Sequence, residues 1–423
     1  MSALINDLLS QRQPGRALER PFYTDPEIYQ QDLENIFYKE WLFVAPVCEL
    51  PDTGSYVTYK IGDYQVVVVR GADKEIRAFH NTCRHRGSII CKAEKGNAPK
   101  LVCPYHQWTY DLDGALLWAR DMEPDFVPQD HGLKSVHCRE LSGLIYICLA
   151  KEAPDFDTFS EIAAPYLAPH DLSNAKVAYE SRIVENGNWK LVWENNRECY
   201  HCSANHPSLL RSFPEDPRVS FIGENSVPDF IAEHFASCEA AGLPSQYVVP
   251  ENGQFRLSRM PLVKGAKSYT LDGSFGVHGK RLGGIQKEDA GVLNKFHYPS
   301  TWAYFLPDHC MTFRVTPISP TETELVTCWL VDKDAVEGVD YDLEHLTEVW
   351  MATNTEDRRV VEDNQLGVNS PAYSPGPYSA LHEASVIGFV EWYCETIRSN
   401  LSASDAPTET AISFQANTIE RSA

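Results

Sequence analysis

The sequence predicts an α+β fold with two domains, a small β-rich domain followed by a larger domain of strands and helices. Residues 41–155 contain short apolar segments separated by turn residues, as in a small β domain. Residues 156–400 combine strand-like and helix-like segments without the regular alternation of βαβ units. Each of the two sections also contains one dense group of potential metal ligands. With 423 residues, 43% of them hydrophobic, the chain is long enough for both domains.

The N-terminal part, residues 1–40, is expected to be mobile and polar up to about residue 20 and helical after it. Thr24 and Glu27 have the spacing of a capping box, which predicts a helix from there to about Tyr38. In the β-rich domain, apolar segments flanked by Gly and Asp turns predict strands at 56–61, 64–70, 76–80 and 144–149.

The larger domain is expected to follow a linker or helical connection at 154–173. Its apolar segments predict strands at 176–184, 302–305, 311–316 and 324–331. Helical periodicity predicts helices after Asn188, at 341–365 and at 379–398. Residues 212–290 are rich in Gly, Pro and Ser and show no clear pattern, and the tail, residues 401–423, is expected to be disordered.

The charge of the chain restricts its partners. A formal net charge of −22 argues against nucleic acid or an anionic membrane as a partner. The N-terminus lacks the basic start and apolar core of a secretory signal, and no apolar run is long enough to span a bilayer. The twelve cysteines are scattered, unlike those of a small disulfide-framed secreted protein. We therefore expect a cytoplasmic protein whose cysteines are mostly buried thiols.

The stretch His80–Tyr110 carries the first group of ligands. Cys83-x-His85 and Cys103-x2-His106 each offer one thiolate and one imidazole, and seventeen residues separate the two pairs. A Rieske [2Fe-2S] cluster requires this set, because two Cys hold one iron and two His hold the other. A structural zinc site also accepts two Cys and two His, but zinc fingers usually place both Cys first, whereas the ligands alternate here. The pattern favours the cluster, which three flanking aromatic residues are expected to shield from solvent: Tyr105, Trp108 and Tyr110.

The second group of ligands lies between Asn195 and His206. Glu198, His201 and His206 have the spacing E-x2-H-x4-H. Two imidazoles and one carboxylate form the facial triad of non-haem iron oxygenases, which leaves positions open for O₂ and substrate. The local sequence offers two carboxylates for this triad, Glu198 itself and Asp357 in a later predicted helix, and does not decide between them.

Cys199 and Cys202 form a C-x-x-C pair within the same stretch. Thioredoxin-like redox chemistry would need a βαβ context that the sequence does not show. Both residues are therefore predicted to be packing residues.

Three motifs resemble the oxygenase (α) subunits of Rieske non-haem iron oxygenases. They are C-R-H-R-G at Cys83–Gly87, C-P-Y-H-Q-W at Cys103–Trp108 and N-R-E-C-Y-H-C at Asn196–Cys202. The resemblance covers about residues 20–400. It implies that the larger domain is a catalytic domain of helix-grip-like fold, with an antiparallel sheet and helices.

The resemblance also implies a role for each ligand. The Rieske cluster would be held by four residues: Cys83, His85, Cys103 and His106. The mononuclear Fe(II) would be held by His201, His206 and Asp357. Glu198 would connect the iron site, by hydrogen bonds, to His106 of a neighbouring subunit in a head-to-tail homotrimer.

The residue type at position 198 also indicates the class of substrate. Ring-hydroxylating dioxygenases commonly have Asp at this position, whereas Glu is similar to the members that act on choline, glycine betaine, carnitine or stachydrine. The segments 333–341 and 375–378 resemble glycine betaine monooxygenase and stachydrine demethylase components. The resemblance thus implies hydroxylation of an N-methyl group of a betaine, with N-demethylation and formaldehyde release. The alternatives are an aromatic-ring-hydroxylating dioxygenase subunit and, in another class, a Rieske electron-transfer protein.

A separate partner is expected to supply the electrons for the reduction of the co-substrate O₂. The chain has neither a Gly-rich dinucleotide motif nor a plant-type ferredoxin motif, which predicts a flavin and iron–sulfur reductase fed by NAD(P)H. Aromatic faces are expected around a quaternary ammonium substrate, and an arginine near its carboxylate. The candidates for this pocket are Trp302, Tyr304, Phe305, Arg256, Arg259 and His309.

Overall fold

The computed structural model describes residues 2–216 and 227–404. The strands in these ranges are β1 Leu42–Pro46, β2 Ser55–Ile61, β3 Tyr64–Arg70, β4 Ile76–His80, β5 Lys95–Asn97, β6 Leu101–Val102, β7 Thr109–Tyr110, β8 Leu116–Trp118, β9 Ser135–Leu141, β10 Leu144–Cys148, β11 Ala175–Glu185, β12 Phe255–Met260, β13 Val292–His297, β14 Thr301–Phe305, β15 Cys310–Ser319 and β16 Glu322–Asp332.

The helices in the same ranges are α1 Ser2–Gln11, α2 Pro21–Thr24, α3 Pro26–Asp32, α4 Asp157–Leu167, α5 Trp189–Asn196, α6 Cys202–Asn205, α7 Asp229–Ala240, α8 Leu343–Asn369 and α9 Ala384–Ser404. A π-helical segment, Leu33–Phe37, continues α3. None of the helices within the two described ranges is both long and apolar enough to cross a membrane.

The β-rich domain is built on a seven-stranded antiparallel sheet. Its strand order is β1-β10-β9-β4-β3-β2-β5, and a small second sheet has the order β6-β7-β8. Along β2, buried residues alternate with partly or fully exposed ones, as expected of a strand with one covered face. The second sheet places one of the two ligand loops, between β6 and β7, beside the loop that follows β4.

The larger domain surrounds a six-stranded antiparallel sheet of order β11-β16-β15-β14-β13-β12. Every residue of β13 and β14 is buried, because both faces of this sheet are covered. On one face, Trp302 packs against Trp193 of α5, and α8 and α9 complete the same core. On the other face, Phe305 belongs to a core that also contains Phe43 of β1 and Tyr146 of β10. The β-rich domain is therefore packed against the face of the six-stranded sheet that is opposite α5.

A buried ion pair joins the N-terminal segment to the larger domain. Asp32, at the end of α3, pairs with Lys190 of α5, and both side chains are fully buried. Trp189 Nε1 and Tyr393 Oη also donate hydrogen bonds to Asp32, at 3.0 and 2.8 Å. One carboxylate thus connects α3, α5 and α9.

The α+β fold and its antiparallel sheets are confirmed, and the predicted strands β2, β3 and β4 agree with the structure to within one residue. Several local predictions are wrong. The N-terminal twenty residues include α1, which buries Ile5 and Leu9. The cap of α3 is Asp25, which accepts from the backbone N–H groups of Glu27 and Ile28, whereas Thr24 ends the short helix before it.

The region without a predicted pattern contains regular elements. Helix α7 and strand β12 both lie within residues 212–290, of which 217–226 are outside the described residues. Helix α9 continues to Ser404, four residues into the predicted disordered tail. The remainder of that predicted tail, 405–423, also lies outside the described residues.

Candidate metal centres

The two loops that carry the Cys–His pairs each contain a backbone turn of the same type. In the first loop the carbonyl of Cys83 accepts a hydrogen bond from Gly87 N–H at 2.9 Å, and in the second the carbonyl of Cys103 accepts one from Gln107 N–H at 3.0 Å. Gly87 has φ +80° and Gln107 has φ +63°, so each turn ends in the left-handed region. Each loop therefore wraps around its own cysteine and presents the following histidine.

The sulfur atoms of this site lie inside the domain. Cys83 and Cys103 are only 3% and 1% exposed. Tyr110 Oη lies 3.3 Å from Cys83 Sγ, and the side chain of Asn81 bonds the backbone of Cys91 in both directions, at 2.7 and 2.9 Å. Tyr110 of β7 thus connects the first loop to the second, and Asn81 closes the first loop on itself.

The imidazoles lie at the surface. His85 Nδ1 is 3.1 Å from His106 Nδ1, and both residues are exposed. Trp108 stacks on His85 with centroids 4.9 Å apart, and Tyr105 stacks on His106 at 3.8 Å. Trp108 is buried and shields this site as predicted, but Tyr105 does not, because it is 57% exposed. The site has a buried sulfur side and an exposed nitrogen side.

The second site brings together ligands from three segments. His201 precedes α6, His206 follows it, and Asp357 lies on α8. His201 Nε2 is 2.9 Å from His206 Nε2, and Asp357 Oδ1 is 3.3 and 3.0 Å from these two nitrogens. Adjacent ligands of an octahedral ion with bonds of about 2.1 Å are about 3.0 Å apart. The three atoms therefore have the spacing of one octahedral face.

A carboxylate contacts the outer nitrogen of each of these histidines. Glu198 Oε1 lies 2.5 Å from His201 Nδ1, and Glu356 Oε2 lies 2.9 Å from His206 Nδ1. Such contacts fix the ring orientation of a metal-binding histidine. Glu198 is thus on the far side of His201 from the triad, which favours Asp357 as the third ligand. Glu356 was missed, although its position beside Asp357 on a predicted helix was a usable signal.

The electrostatics of this second site favour a cation. Burial alone would lower the pKa of His201, but the carboxylates of Asp357 and Glu198 outweigh burial and raise it to about 10. The pKa of His206 is raised in the same way, against burial, by Asp357 and Glu356. Three carboxylates around two imidazoles attract positive charge, which a divalent metal ion provides more strongly than protons do.

Cys199 and Cys202 lie directly beside the second site. Cys202 is buried in the main core and Cys199 packs against it, in agreement with the packing role predicted for both. The structure also joins them in a disulfide, which the sequence did not predict. The chain turns between α5 and α6, and this turn brings their Cα atoms to 4.9 Å, within the range of a disulfide.

A cavity of about 70 Å³ adjoins the triad. Its wall includes two arginines, several amide side chains and several aromatic rings, among them Arg197, Arg256, Asn294, Phe296, Tyr304 and Trp350. Tyr304 and Trp350 stack with centroids 4.8 Å apart. Of the residues suggested by the sequence, Tyr304 and Arg256 line this cavity.

The other suggested pocket residues lie elsewhere. Arg259 is fully buried on the opposite face of β12 from Arg256, because side chains alternate along a strand, and it contacts His170 at 3.1 Å. Phe305 faces the same opposite side of the sheet as Arg259, and His309 is buried beside Asp308. Trp302 shares the cavity face of the sheet but stacks on Phe313 instead.

Comparison with known proteins shows the relationship of the whole chain. Residues 40–137 match the Rieske [2Fe-2S] domain, and residues 172–399 match the ring hydroxylating alpha subunit catalytic domain. The chain belongs to the family of Rieske oxygenase α subunits. It is an oxygen-dependent Rieske monooxygenase with a Rieske [2Fe-2S] cluster and a mononuclear iron as cofactors.

Three relatives illustrate the similarity. The chain is 46% identical to the glycine betaine monooxygenase oxygenase subunit of Chromohalobacter salexigens, over 95% of this chain and 90% of the relative. It is also 46% identical to the subunit of the same name from Pseudomonas aeruginosa, over 95% and 93%. A crystal structure of a quaternary ammonium Rieske monooxygenase has a TM-score of 0.70, 22% identity, and coverage of 92% of this chain and 98% of that one. This last similarity shows the fold alone.

The donor atoms in this Rieske oxygenase fit both cofactors. Two buried sulfur atoms and two adjacent imidazoles match the Cys₂His₂ requirement of the cluster. Two imidazoles and one carboxylate oxygen, spaced as one octahedral face, match the non-haem iron.

Proposed function

We propose that this chain is the terminal oxygenase component that hydroxylates an N-methyl group of a quaternary ammonium betaine, glycine betaine or stachydrine. The observation that carries this proposal is 46% identity to glycine betaine monooxygenase oxygenase subunits over 95% of the chain. The cavity beside the triad supports it, because its aromatic wall suits a quaternary ammonium ion.

The proposed reaction balances with two electrons and two protons. One atom of O₂ enters a C–H bond of the N-methyl group, and the other leaves as water. The N-hydroxymethyl ammonium product then releases its hydroxyl proton and formaldehyde as its C–N bond breaks, and the electron pair of that bond stays on nitrogen, which leaves a tertiary amine. NAD(P)H supplies the electrons through a separate flavin and iron–sulfur reductase.

The proposed ligands of the two cofactors are those expected from the motifs. Four residues would hold the cluster: Cys83, His85, Cys103 and His106. The iron would be held by His201, His206 and Asp357. When bound, the cluster supplies single electrons and the iron activates O₂. The protein residues hold these groups, orient the substrate and limit the access of water.

Glu198 is proposed to link the two sites across a subunit boundary. Its contact with His201 Nδ1 and the exposure of His106 support this role. A histidine at the surface can meet a neighbouring subunit, so we also propose a head-to-tail homotrimer. The same proposal includes an N-terminal segment at 1–40, a Rieske domain at 41–155 and a catalytic domain at 156–400. It also includes a cytoplasmic location.

The test is turnover by the purified protein with a surrogate reductase and NADH. Glycine betaine, stachydrine, carnitine and choline are supplied separately, and formaldehyde and the demethylated amine are quantified. Formaldehyde in a one-to-one ratio with the amine, from glycine betaine or stachydrine, is expected. An aromatic cis-diol from naphthalene, with no formaldehyde from any of the four amines, would favour a ring-hydroxylating dioxygenase instead. His201→Ala with undiminished turnover would favour an electron-transfer role for the chain.

A further inference from the structure

Arg197 is a buried cation beside the triad with incomplete hydrogen bonding. It is 5% exposed and follows the last residue of α5. Its Nε and Nη1 atoms have no hydrogen-bond partner, and no carboxylate of the described residues pairs with it. Burial lowers the pKa of Arg197 to about 10, so the guanidinium is still charged at neutral pH. A buried charge of this kind is costly unless an anion pairs with it.

A second guanidinium lies across the same aromatic ring. The Arg197 guanidinium carbon is 4.0 Å from the centroid of Phe296, and that of Arg256 is 4.5 Å from it. Arg256 Nη1 donates to Ser385 Oγ at 2.9 Å, which orients this second side chain. Both arginines line the cavity. The two guanidinium groups therefore lie on the same side of the cavity, above one aromatic ring.

Asn294 lies between the arginines and the aromatic end of the cavity. It is 8% exposed, and its Oδ1 has no hydrogen-bond partner among the described residues. On the sheet it is directly opposite Tyr304 of β14 and two residues before Phe296 on β13, so all three face the cavity. Its amide can therefore contact a ligand that reaches from one end of the cavity to the other.

The opposite end of the cavity suits a cation. Tyr304 is 6.3 Å from Phe296 and 4.8 Å from Trp350, measured between ring centroids. Burial raises the pKa of the Tyr304 hydroxyl, and Asp357 adds to this, whereas Asn196 and Arg197 lower it; the hydroxyl is thus within reach of both the Arg197 guanidinium and the Asp357 carboxylate. The wall thus changes from guanidinium groups to aromatic faces and a carboxylate within a compact space.

We propose that Arg197, supported by Arg256, is the subsite that binds the carboxylate of a zwitterionic substrate, and that Tyr304 and Trp350 receive its ammonium group. This inference rests on the proposed function, since it names the substrate class of the same site. The subsite selects betaines, which carry an anion two bonds from the nitrogen, over quaternary ammonium compounds without a carboxylate. Arg197 is in this sense a specificity-determining residue that does not touch the iron ligands.

The test compares two ligands that share the trimethylammonium group. Glycine betaine has the carboxylate, and its carboxamide (betaine amide) does not. Binding to the full-length holoenzyme is measured by anaerobic calorimetry, and turnover by formaldehyde release. For the wild type we expect a preference for glycine betaine on the order of 100-fold, the size of a lost charge-assisted hydrogen-bonding partner.

The variants separate binding from folding. Arg197→Gln is expected to remove most of this preference by weakening glycine betaine alone, and Arg197→Lys to restore part of it. Arg256→Gln provides a second variant that reduces the preference if Arg197→Gln does not fold. Arg259→Gln is the matched control, because Arg259 is also buried but faces away from the cavity. In this variant the preference for glycine betaine over betaine amide should stay at the wild-type value.

Two results would overturn the subsite. They are equal binding of both ligands by the wild type, and equal weakening of both ligands by Arg197→Gln. Arg197-dependent binding of glycine betaine without any demethylation would contradict the proposed function but support the subsite. Demethylation of glycine betaine, with no effect of Arg197→Gln on the preference for glycine betaine over betaine amide, would support the proposed function and contradict the subsite.

Discussion

Replacing Glu356 with Gln tests how the outer carboxylates act on the iron site. Glu356 Oε2 lies 2.9 Å from His206 Nδ1, and its side chain is 25% exposed while that of His206 is 1% exposed. Gln keeps an oxygen that accepts the same hydrogen bond, so the variant removes mainly the negative charge. A charge-assisted bond contributes about 1.5–3 kcal/mol, and the partial exposure of Glu356 favours the lower end.

The lost charge weakens the site for a metal ion. Glu356 contacts Nδ1 of His206 and the triad uses Nε2, so the carboxylate acts on a bound divalent ion both through the imidazole and by direct attraction across the ring. We therefore expect the Fe(II) affinity of Glu356→Gln to fall about 10-fold, within the range known for residues that support metal ligands. The pKa of His206, which Glu356 helps to raise, should move down at the same time.

The measurement is a chelator competition with Fe(II), and the visible absorbance of the Rieske cluster is followed as an internal standard. Asp363→Asn is the control, because Asp363 is an exposed acid on the same helix α8. An unchanged Fe(II) affinity in Glu356→Gln would refute the role of Glu356. An equal loss in Asp363→Asn would show that general surface charge, rather than the contact with His206, sets the affinity.

Three further outcomes are expected. Asp357→Ala should lower the iron content at least about 10-fold and abolish formaldehyde release while the cluster absorbance is kept, which metal analysis and spectroscopy check. Fe(II) binding to metal-free protein at pH 7 should release protons, because His201 has a pKa of about 10 and binds metal only after losing its proton. Calorimetry in two buffers measures the number of protons released, which should decrease as the pH rises through 10. Asp32→Ala should lower the free energy of unfolding by about 3–5 kcal/mol, because it leaves the fully buried Lys190 unpaired. The double variant Asp32→Leu with Lys190→Met should recover most of this stability, and urea denaturation measures both effects.

The predictable features were those set by local chemistry. A cluster held by two loops needs a Cys and a His within a few residues, so the two pairs are visible in the sequence alone. The strands β2 to β4 were equally clear, because turn residues flank each apolar segment. Neither inference required knowledge of how distant segments pack.

The features that were missed depend on distant packing. Strand β12 has the sequence FRLSRM, in which apolar and polar residues alternate only over the first four positions, although the strand is largely buried on both sides. This short pattern, within a Gly-, Pro- and Ser-rich region, did not predict a strand. Its face assignment decides that Arg256 reaches the cavity and Arg259 does not. Helix α1 is short and forms where Ile5 and Leu9 meet the main core, a stabilisation that local propensity does not report.

The roles of the two carboxylates near His201 show why geometry was needed. Glu198 is close in sequence and Asp357 is distant, yet Asp357 meets Nε2 of His201 and Glu198 meets Nδ1. Glu198 Oε2 also accepts from the backbone N–H groups of Tyr200 and His201. A carboxylate oxygen has two acceptor positions, so Oε2 is saturated and Oε1 has one left. A connection from Glu198 to His106 of a neighbouring subunit would therefore pass through Oε1, the same atom that contacts His201. In the proposed trimer, a single oxygen would join the cluster histidine to the iron histidine, which makes this link sensitive to the length as well as the charge of residue 198.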